Sequence, residues 1–144
     1  MEAVDTSGKT HLNFLRDIDQ RGNTIAEYIW IDGALGMRAK CRTLTHKVKS
    51  LADIPEWNYD GSSTYQATTE SSEVIIKPVF YFPDPFRGGD NIMVLCEAFS
   101  WTDGTFKELK PCNTNFRNFA KKIFDKKPEE QPWFGIEQEY ILLQ

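Results

Sequence analysis

Two short stretches combine residue types that could do chemistry. The first is Pro55-Glu56-Trp57-Asn58-Tyr59-Asp60-Gly61-Ser62-Ser63-Thr64-Tyr65-Gln66, with carboxylates, amides and three aliphatic hydroxyls set among aromatics around one glycine. Asn, Asp, Gly and Ser bond back to their own backbone and tolerate turn conformations, so the stretch reads as a structured loop, a poor strand and a worse helix. Loops that hold aromatic anchors beside a carboxylate are often binding loops. An ordinary Asx-type turn pinned by a buried Trp57 explains the same composition. The second stretch is Trp133-Phe134-Gly135-Ile136-Glu137-Gln138-Glu139-Tyr140. In an extended chain, residues two apart share a face about 6.5–7 Å from one another. Glu137 and Glu139 would then project side by side from an apolar strand. Carboxylates facing an interior repel unless a cation joins them, and Mg²⁺ or Mn²⁺ prefers such oxygen ligands. A glutamate face that simply meets solvent is the plainer alternative.

Composition bounds the setting. The 144 residues are 40% apolar and 26% charged, which suits a folded core and not a disordered chain. A net charge of −4 speaks against a nucleic-acid surface. No apolar run approaches the ~18 residues of a membrane span, and Met1 to Thr10 lack the apolar core of a signal peptide. Cys41, Cys96 and Cys112 are widely spaced without a CxxC pair, so they read as reduced packing cysteines in a cytoplasmic protein.

The elements that must position these stretches follow from periodicity. Leu12, Phe14, Leu15 and Ile18 predict a short helix over residues 10–20. Ile25 to Ile31 and the run from Met37 predict a hairpin around Asp32-Gly33-Ala34-Leu35-Gly36. In its second strand, Arg38, Lys40 and Arg42 alternate with Met37, Ala39 and Cys41. The cations are expected on a solvated face, an anion site being the alternative. Glu73–Phe82 predicts a strand in which Pro78 marks an edge, a bulge or an end. A glycine-rich loop follows at 83–90, then a central strand over 92–101 that is apolar on both faces. Asp103-Gly104 predicts a turn into a return strand ending near Leu109. The composition changes at Lys110–Asn113, and Thr114 or Asn115 can cap a helix bearing Phe116, Phe119, Ala120, Ile123 and Phe124. A final strand is expected over 133–143.

The two chemical stretches also resemble the signatures of glutamine synthetase. Tyr28-Ile29-Trp30-Ile31-Asp32-Gly33, Asp84-Pro85-Phe86-Arg87 and Thr114-Asn115-Phe116-Arg117 look like the same family, in the same order. The resemblance runs from about residue 25 to the end and favours the eukaryotic type. It implies an α+β chain: an N-terminal helical segment (1–20), a β-grasp domain (21–109), and the first helix and strand of a catalytic domain (113–144). It implies ATP-dependent joining of glutamate and ammonia through γ-glutamyl phosphate, with active sites between subunits of a double-ring decamer in the cytoplasm. By motif, Asp60 would bind ammonium and take its proton, with Ser63 beside it and Trp57 in the same wall. Glu137 would bind the nucleotide-side metal, Glu139 the metal near the glutamate carboxylate, and Trp133 would lie near ATP. The residue types suit these tasks. A carboxylate holds ammonium by charge-assisted hydrogen bonds and can act as a base, while a hydroxyl adds an acceptor without charge.

The family's catalytic domain continues well past the position matching Gln144, and two glutamates cannot complete two metal shells. The expectation is therefore a piece of a larger active enzyme, inactive alone. A short non-catalytic paralogue that inserts its Asp60 loop into full-length subunits is the alternative, and a stand-alone β-grasp binding module is a third. Residues 113–144 are expected to be partly disordered or sticky when isolated.

Overall fold

The computed structural model describes residues 19–102 and 107–143. Among them, six strands form one sheet: β1 (Thr24–Ile31), β2 (Met37–Leu44), β3 (Trp57–Asp60), β4 (Glu73–Pro83), β5 (Ile92–Trp101) and β6 (Leu109–Pro111), followed by helix α1 (Phe116–Phe124). The order is β2-β1-β5-β4-β3, and β6 pairs with β5. β1 runs parallel to β5 and every other pairing is antiparallel. Most of the helix expected over 10–20 lies outside the described residues, and Asp19 and Gln20 are not helical. The Asp103-Gly104 turn also lies outside them. The return strand begins at Leu109 instead of ending there.

β1 and β3 show why the sheet holds together. In β1, Ala26, Tyr28 and Trp30 alternate onto one face and are buried, as are Val74 and Ile76 of β4 and Val94 of β5. On a flat sheet β1 and β3 would stand about 14 Å apart, three strand spacings of roughly 4.8 Å. Yet the rings of Tyr28 and Trp57 lie 5.4 Å apart edge-on, and those of Trp30 and Tyr59 lie 4.4 Å apart. The sheet therefore curls around its aromatic face. Each such pair stabilises by about 0.5–1.5 kcal/mol beyond its buried area. The Tyr28 hydroxyl is satisfied by donating to the Pro55 carbonyl at 2.8 Å. Burial, partly opposed by Arg42, pushes its pKa up to about 12.

Two expectations are overturned here. Part of the 55–66 stretch is a strand, because β4 supplies a ladder and Trp57 and Tyr59 find rings to pack on. The cations of β2 also lie on the aromatic face, since Lys40 stands opposite Tyr28 and Arg42 opposite Ala26. Lys40 Nζ sits 3.5 Å from the centre of the Trp57 ring and donates to the Asn58 carbonyl at 2.9 Å. One sheet edge thus bonds to the other, which a flat sheet would hold about 19 Å away. Met37, Ala39 and Cys41 take the opposite, exposed face. Alternation assigns residues to two faces but cannot say which face the sheet will close over.

Pro78 marks a bulge, where the β4–β5 register shifts between Pro78 and Phe80. β5 is central, as expected. Asn115 caps α1 by accepting from the Asn118 N–H at 3.2 Å, and its amide donates to the Ala98 carbonyl at 3.1 Å. Residues 131–143 form no strand, and all are exposed. A strand requires a ladder partner, and among the described residues none pairs with this segment. The three cysteines are free; Cys112 is buried, Cys96 partly so, and Cys41 is exposed.

Replacing Lys40 with methionine, which keeps the stem and removes the charge and donor, is expected to lower stability by about 1 kcal/mol. Urea unfolding monitored by tryptophan fluorescence measures this. No change in midpoint would mean that the edge-to-edge bond contributes nothing.

Candidate functional site

Asp60 is the last residue of β3, and alternation decides what it faces. Trp57 and Tyr59 turn into the curl, so Asn58 and Asp60 point to the opposite side, where both are exposed. Trp57 and Asp60 therefore do not share a wall. One face of the Trp57 ring is covered by Lys40, and Tyr28 meets the ring at an angle.

Beyond Asp60 the chain turns sharply at Gly61. A Cβ there would come within 2.3 Å of Val74 Cγ2, so no side chain fits without movement. The Gly61 N–H donates to the Ser72 carbonyl at 2.7 Å, and its own carbonyl accepts from Thr64, Gln66 and Ala67. The turn places Ser62 against the carboxylate. Asp60 Oδ1 accepts from the Ser62 hydroxyl at 2.7 Å and the Ser62 N–H at 2.9 Å. These bonds, the hydroxyl first, hold the Asp60 pKa below the usual carboxylate value. Ser63, the hydroxyl singled out by resemblance, is exposed, and Asp60's partner among the described residues is Ser62. An Asp-Gly-Ser sequence carries this signal, because an aspartate commonly accepts from the residue two further on.

The loop is clipped to the β1–β2 turn. Gly33 N–H donates to the Thr64 carbonyl at 2.8 Å, and a Cβ on Gly33 would lie 2.3 Å from the Tyr65 carbonyl oxygen. Tyr65 has φ +60°, the left-handed region. Gln66 spans the junction, accepting from the Tyr59 hydroxyl and donating to the Ile31 carbonyl at 3.0 Å. The β1–β2 turn is itself built on buried Asp32. Its Oδ1 accepts from Ala34 and Gly36 N–H at 2.9 and 2.8 Å, and its Oδ2 meets Arg38 Nε at 2.7 Å. Gly33 and Gln66 were not singled out by sequence, since neither glutamine nor a loop glycine signals a long-range clip.

Glu73 stands opposite Asp60 in the β3–β4 register. Both its oxygens are occupied, one by the Asn58 amide at 2.6 Å and the other by Trp101 Nε1 at 2.9 Å. Asp60 is thus the carboxylate of this pair with an oxygen left open among the described residues. A neighbouring cavity of about 380 Å³ is lined by Gly33, Tyr65, Gln66, Trp101, Lys110 and Thr114 among others, but not by Asp60.

The other predicted residues are not brought to this loop. Trp133 is 93% exposed, and Glu137 and Glu139 are exposed without an ion-pair partner among the described residues. The segment's ring contact is Phe134 against Phe124, 5.7 Å between centres. No group of three His, Cys, Asp or Glu among the described residues could hold a metal ion. Glu137 and Glu139 therefore stand without a third protein ligand among the described residues.

Arg87 of the Asp84-Pro85-Phe86-Arg87 motif is structural here. Its Nη1 meets Asp84 Oδ2 and Glu27 Oε2, each at 2.6 Å. Burial pushes Asp84 up, but Arg87 and the N–H groups of Phe86 and Arg87 outweigh it and hold the carboxyl below its ordinary value.

The fold and loop together define a curled sheet that presents one ionised, locally braced carboxylate at its edge. The sequence is 51% identical to a glutamine synthetase of Tuber borchii over 88% of this chain and 34% of that protein. It is 50% identical to the Kluyveromyces lactis enzyme over 96% of this chain and 36% of that one. A cytosolic isozyme of Chlamydomonas reinhardtii is 48% identical over 87% of this chain. The chain is a homologue of glutamine synthetases, matching the N-terminal part of their sequences and about a third of their length. No family model matches it. A solved Plasmodium falciparum glutamine synthetase aligns with 88% of this chain and 24% of its own at 15% identity and a TM-score of 0.43.

Carboxyls with depressed pKa values stabilise the fold when ionised; that stability is present above the unfolded value near 3.9 and lost as pH falls through the folded one. Asp32, Asp60 and Asp84 all belong to this class. Stability is therefore expected to fall as pH drops below about 4. Asp84→Asn should cost ~2 kcal/mol at pH 7 and flatten that slope. Denaturant unfolding at pH 7 and pH 3 measures both, and an unchanged slope in the variant contradicts the assignment.

Proposed function

We propose that this chain contributes the ammonium-binding part of a glutamate–ammonia ligase. The reading rests on the identity of about 50% to glutamine synthetases over most of the chain, together with an ionised Asp60 carboxylate that keeps one oxygen open. In this reading the curled sheet is the β-grasp domain (21–109), residues 113–144 begin the catalytic domain, and 1–20 precede both. Asp60 binds ammonium from the edge of the sheet and takes a proton from it. The ammonia so formed attacks the γ-carbonyl of a glutamyl phosphate made from glutamate and ATP. A carbon–nitrogen bond forms and phosphate leaves. Ser63 belongs to the same proposed surroundings and Trp133 to the nucleotide side, while Trp57, turned to the other face of β3, supports the strand from behind. The site is completed by a neighbouring subunit of a cytoplasmic ring assembly.

Mg²⁺ or Mn²⁺ on Glu137 and Glu139 is the metal assignment this reading carries. The described residues do not by themselves complete a shell for it. The exposed apolar residues Phe116, Ile123, Trp133, Ile136 and Leu143 favour a second reading, in which the chain acts as a short non-catalytic partner that docks on full-length synthetase subunits.

Supplied alone with ATP, Mg²⁺, glutamate and ammonium, the 144 residues are expected to release neither glutamine nor phosphate; turnover would overturn the mapping. Grafted in place of the matching segment of a full-length relative, the chain should support synthesis, and Asp60→Ala should lower ammonia-dependent kcat about 10²-fold or more. An unaffected rate removes Asp60 from the chemistry. Stable co-purification with an intact synthetase, without activity in the graft, supports the second reading.

A further inference from the structure

We infer that Ser62 is the positioning residue of Asp60, fixing which carboxylate oxygen is available to accept a proton. The inference rests on the ammonium role proposed for Asp60 and extends it to how that side chain is aimed. Ser62 donates twice to the same oxygen, Oδ1, through its hydroxyl at 2.7 Å and its N–H at 2.9 Å. A carboxylate rotates freely unless one oxygen is held, and two donors on one oxygen hold both torsions. Among the described residues no donor reaches Oδ2, so that atom remains open at the exposed edge of the sheet. Opposite it, Glu73 cannot substitute, because Asn58 and Trp101 each bond one of its oxygens.

The clamp is itself anchored. Gly61 admits no side chain against Val74, and its N–H is tied to Ser72. The carbonyl of Gly61 then gathers Thr64, Gln66 and Ala67, so the backbone that presents Ser62 is bonded on both sides. Ser63, one residue on, is exposed and makes no comparable bond to Asp60 among the described residues. The two adjacent serines therefore have different tasks: Ser62 braces the carboxylate, and Ser63 faces outward, free to meet a ligand.

The test follows the Asp60 carboxyl carbon by NMR as the intact chain is titrated from pH 7 to pH 2. Ser62→Ala is expected to raise the Asp60 midpoint, Ser62→Thr to restore it, and Ser63→Ala to leave it in place. The inference fails if Ser62→Ala leaves the midpoint unmoved or if Ser63→Ala moves it as far. In the grafted enzyme, Ser62→Ala should shift the acidic limb of kcat/KM for ammonium upward by the same interval and raise KM, with Ser62→Thr restoring both. A moved midpoint with an unmoved acidic limb keeps the brace but rejects Asp60 as the titrating base. That outcome separates failure of the functional reading from failure of the clamp. Amide spectra of each variant confirm that the sheet is intact.

Discussion

The contact on which the structure depends is the meeting of Tyr28 and Trp30 of β1 with Trp57 and Tyr59 of β3. These strands lie at different places in a sheet ordered β2-β1-β5-β4-β3, and they reach one another because the sheet curls. Burial of the Tyr28 and Trp30 rings, with Trp57 and Tyr59 partly covered against them, supplies the driving force. Lys40 closes the curl by capping Trp57 and bonding the outer carbonyl of β3. That bond also occupies an edge that would otherwise offer an unpaired backbone acceptor. Everything said of Asp60 follows from this closure. With Trp57 and Tyr59 turned inward, the pleat leaves Asp60 no choice but to face out.

A single local device recurs around this frame. Asp19, Asp32, Asp60 and Asp84 each accept the N–H of the residue two positions on. In each case a carboxylate terminates or turns a segment using its own neighbours. The devices diverge in what occupies the second oxygen. Asp32 and Asp84 give theirs to Arg38 and Arg87 and are buried, so they organise structure. Asp60 is exposed, and among the described residues no group bonds its second oxygen. The same chemistry thus makes Asp32 and Asp84 structural and leaves Asp60, like Asp19, with one oxygen facing solvent.

Loop and sheet are also joined at a distance. Gln66 links the end of β1 to Tyr59, and Gly33 lets the 61–66 loop approach the β1–β2 turn at backbone distance. The loop carrying the carboxylate is therefore part of the folded frame. The glutamate-bearing segment at 133–143 differs, with no ladder and no metal geometry among the described residues. Homology to glutamine synthetases covers both stretches, but the chain itself assembles only the first.

The sequence alone determined the local elements: the β1–β2 hairpin, an irregularity at Pro78 whose kind it left open, the central β5, the capped helix after Thr114, and the family resemblance carried by its motifs. These depend on neighbours a few residues apart, so periodicity, turn residues and caps report them directly. It misplaced the cations of β2, misread Trp57–Asp60 as loop and assigned a strand to 133–143. Those outcomes are decided by long-range facts: which face the sheet closes over, whether β4 offers a ladder, and whether any strand lies alongside. The choice of Ser62 over Ser63 as Asp60's partner was in principle legible from the Asp-Gly-Ser turn. Only the folded chain shows that Gly61, pressed against Val74, fixes the turn that makes it so.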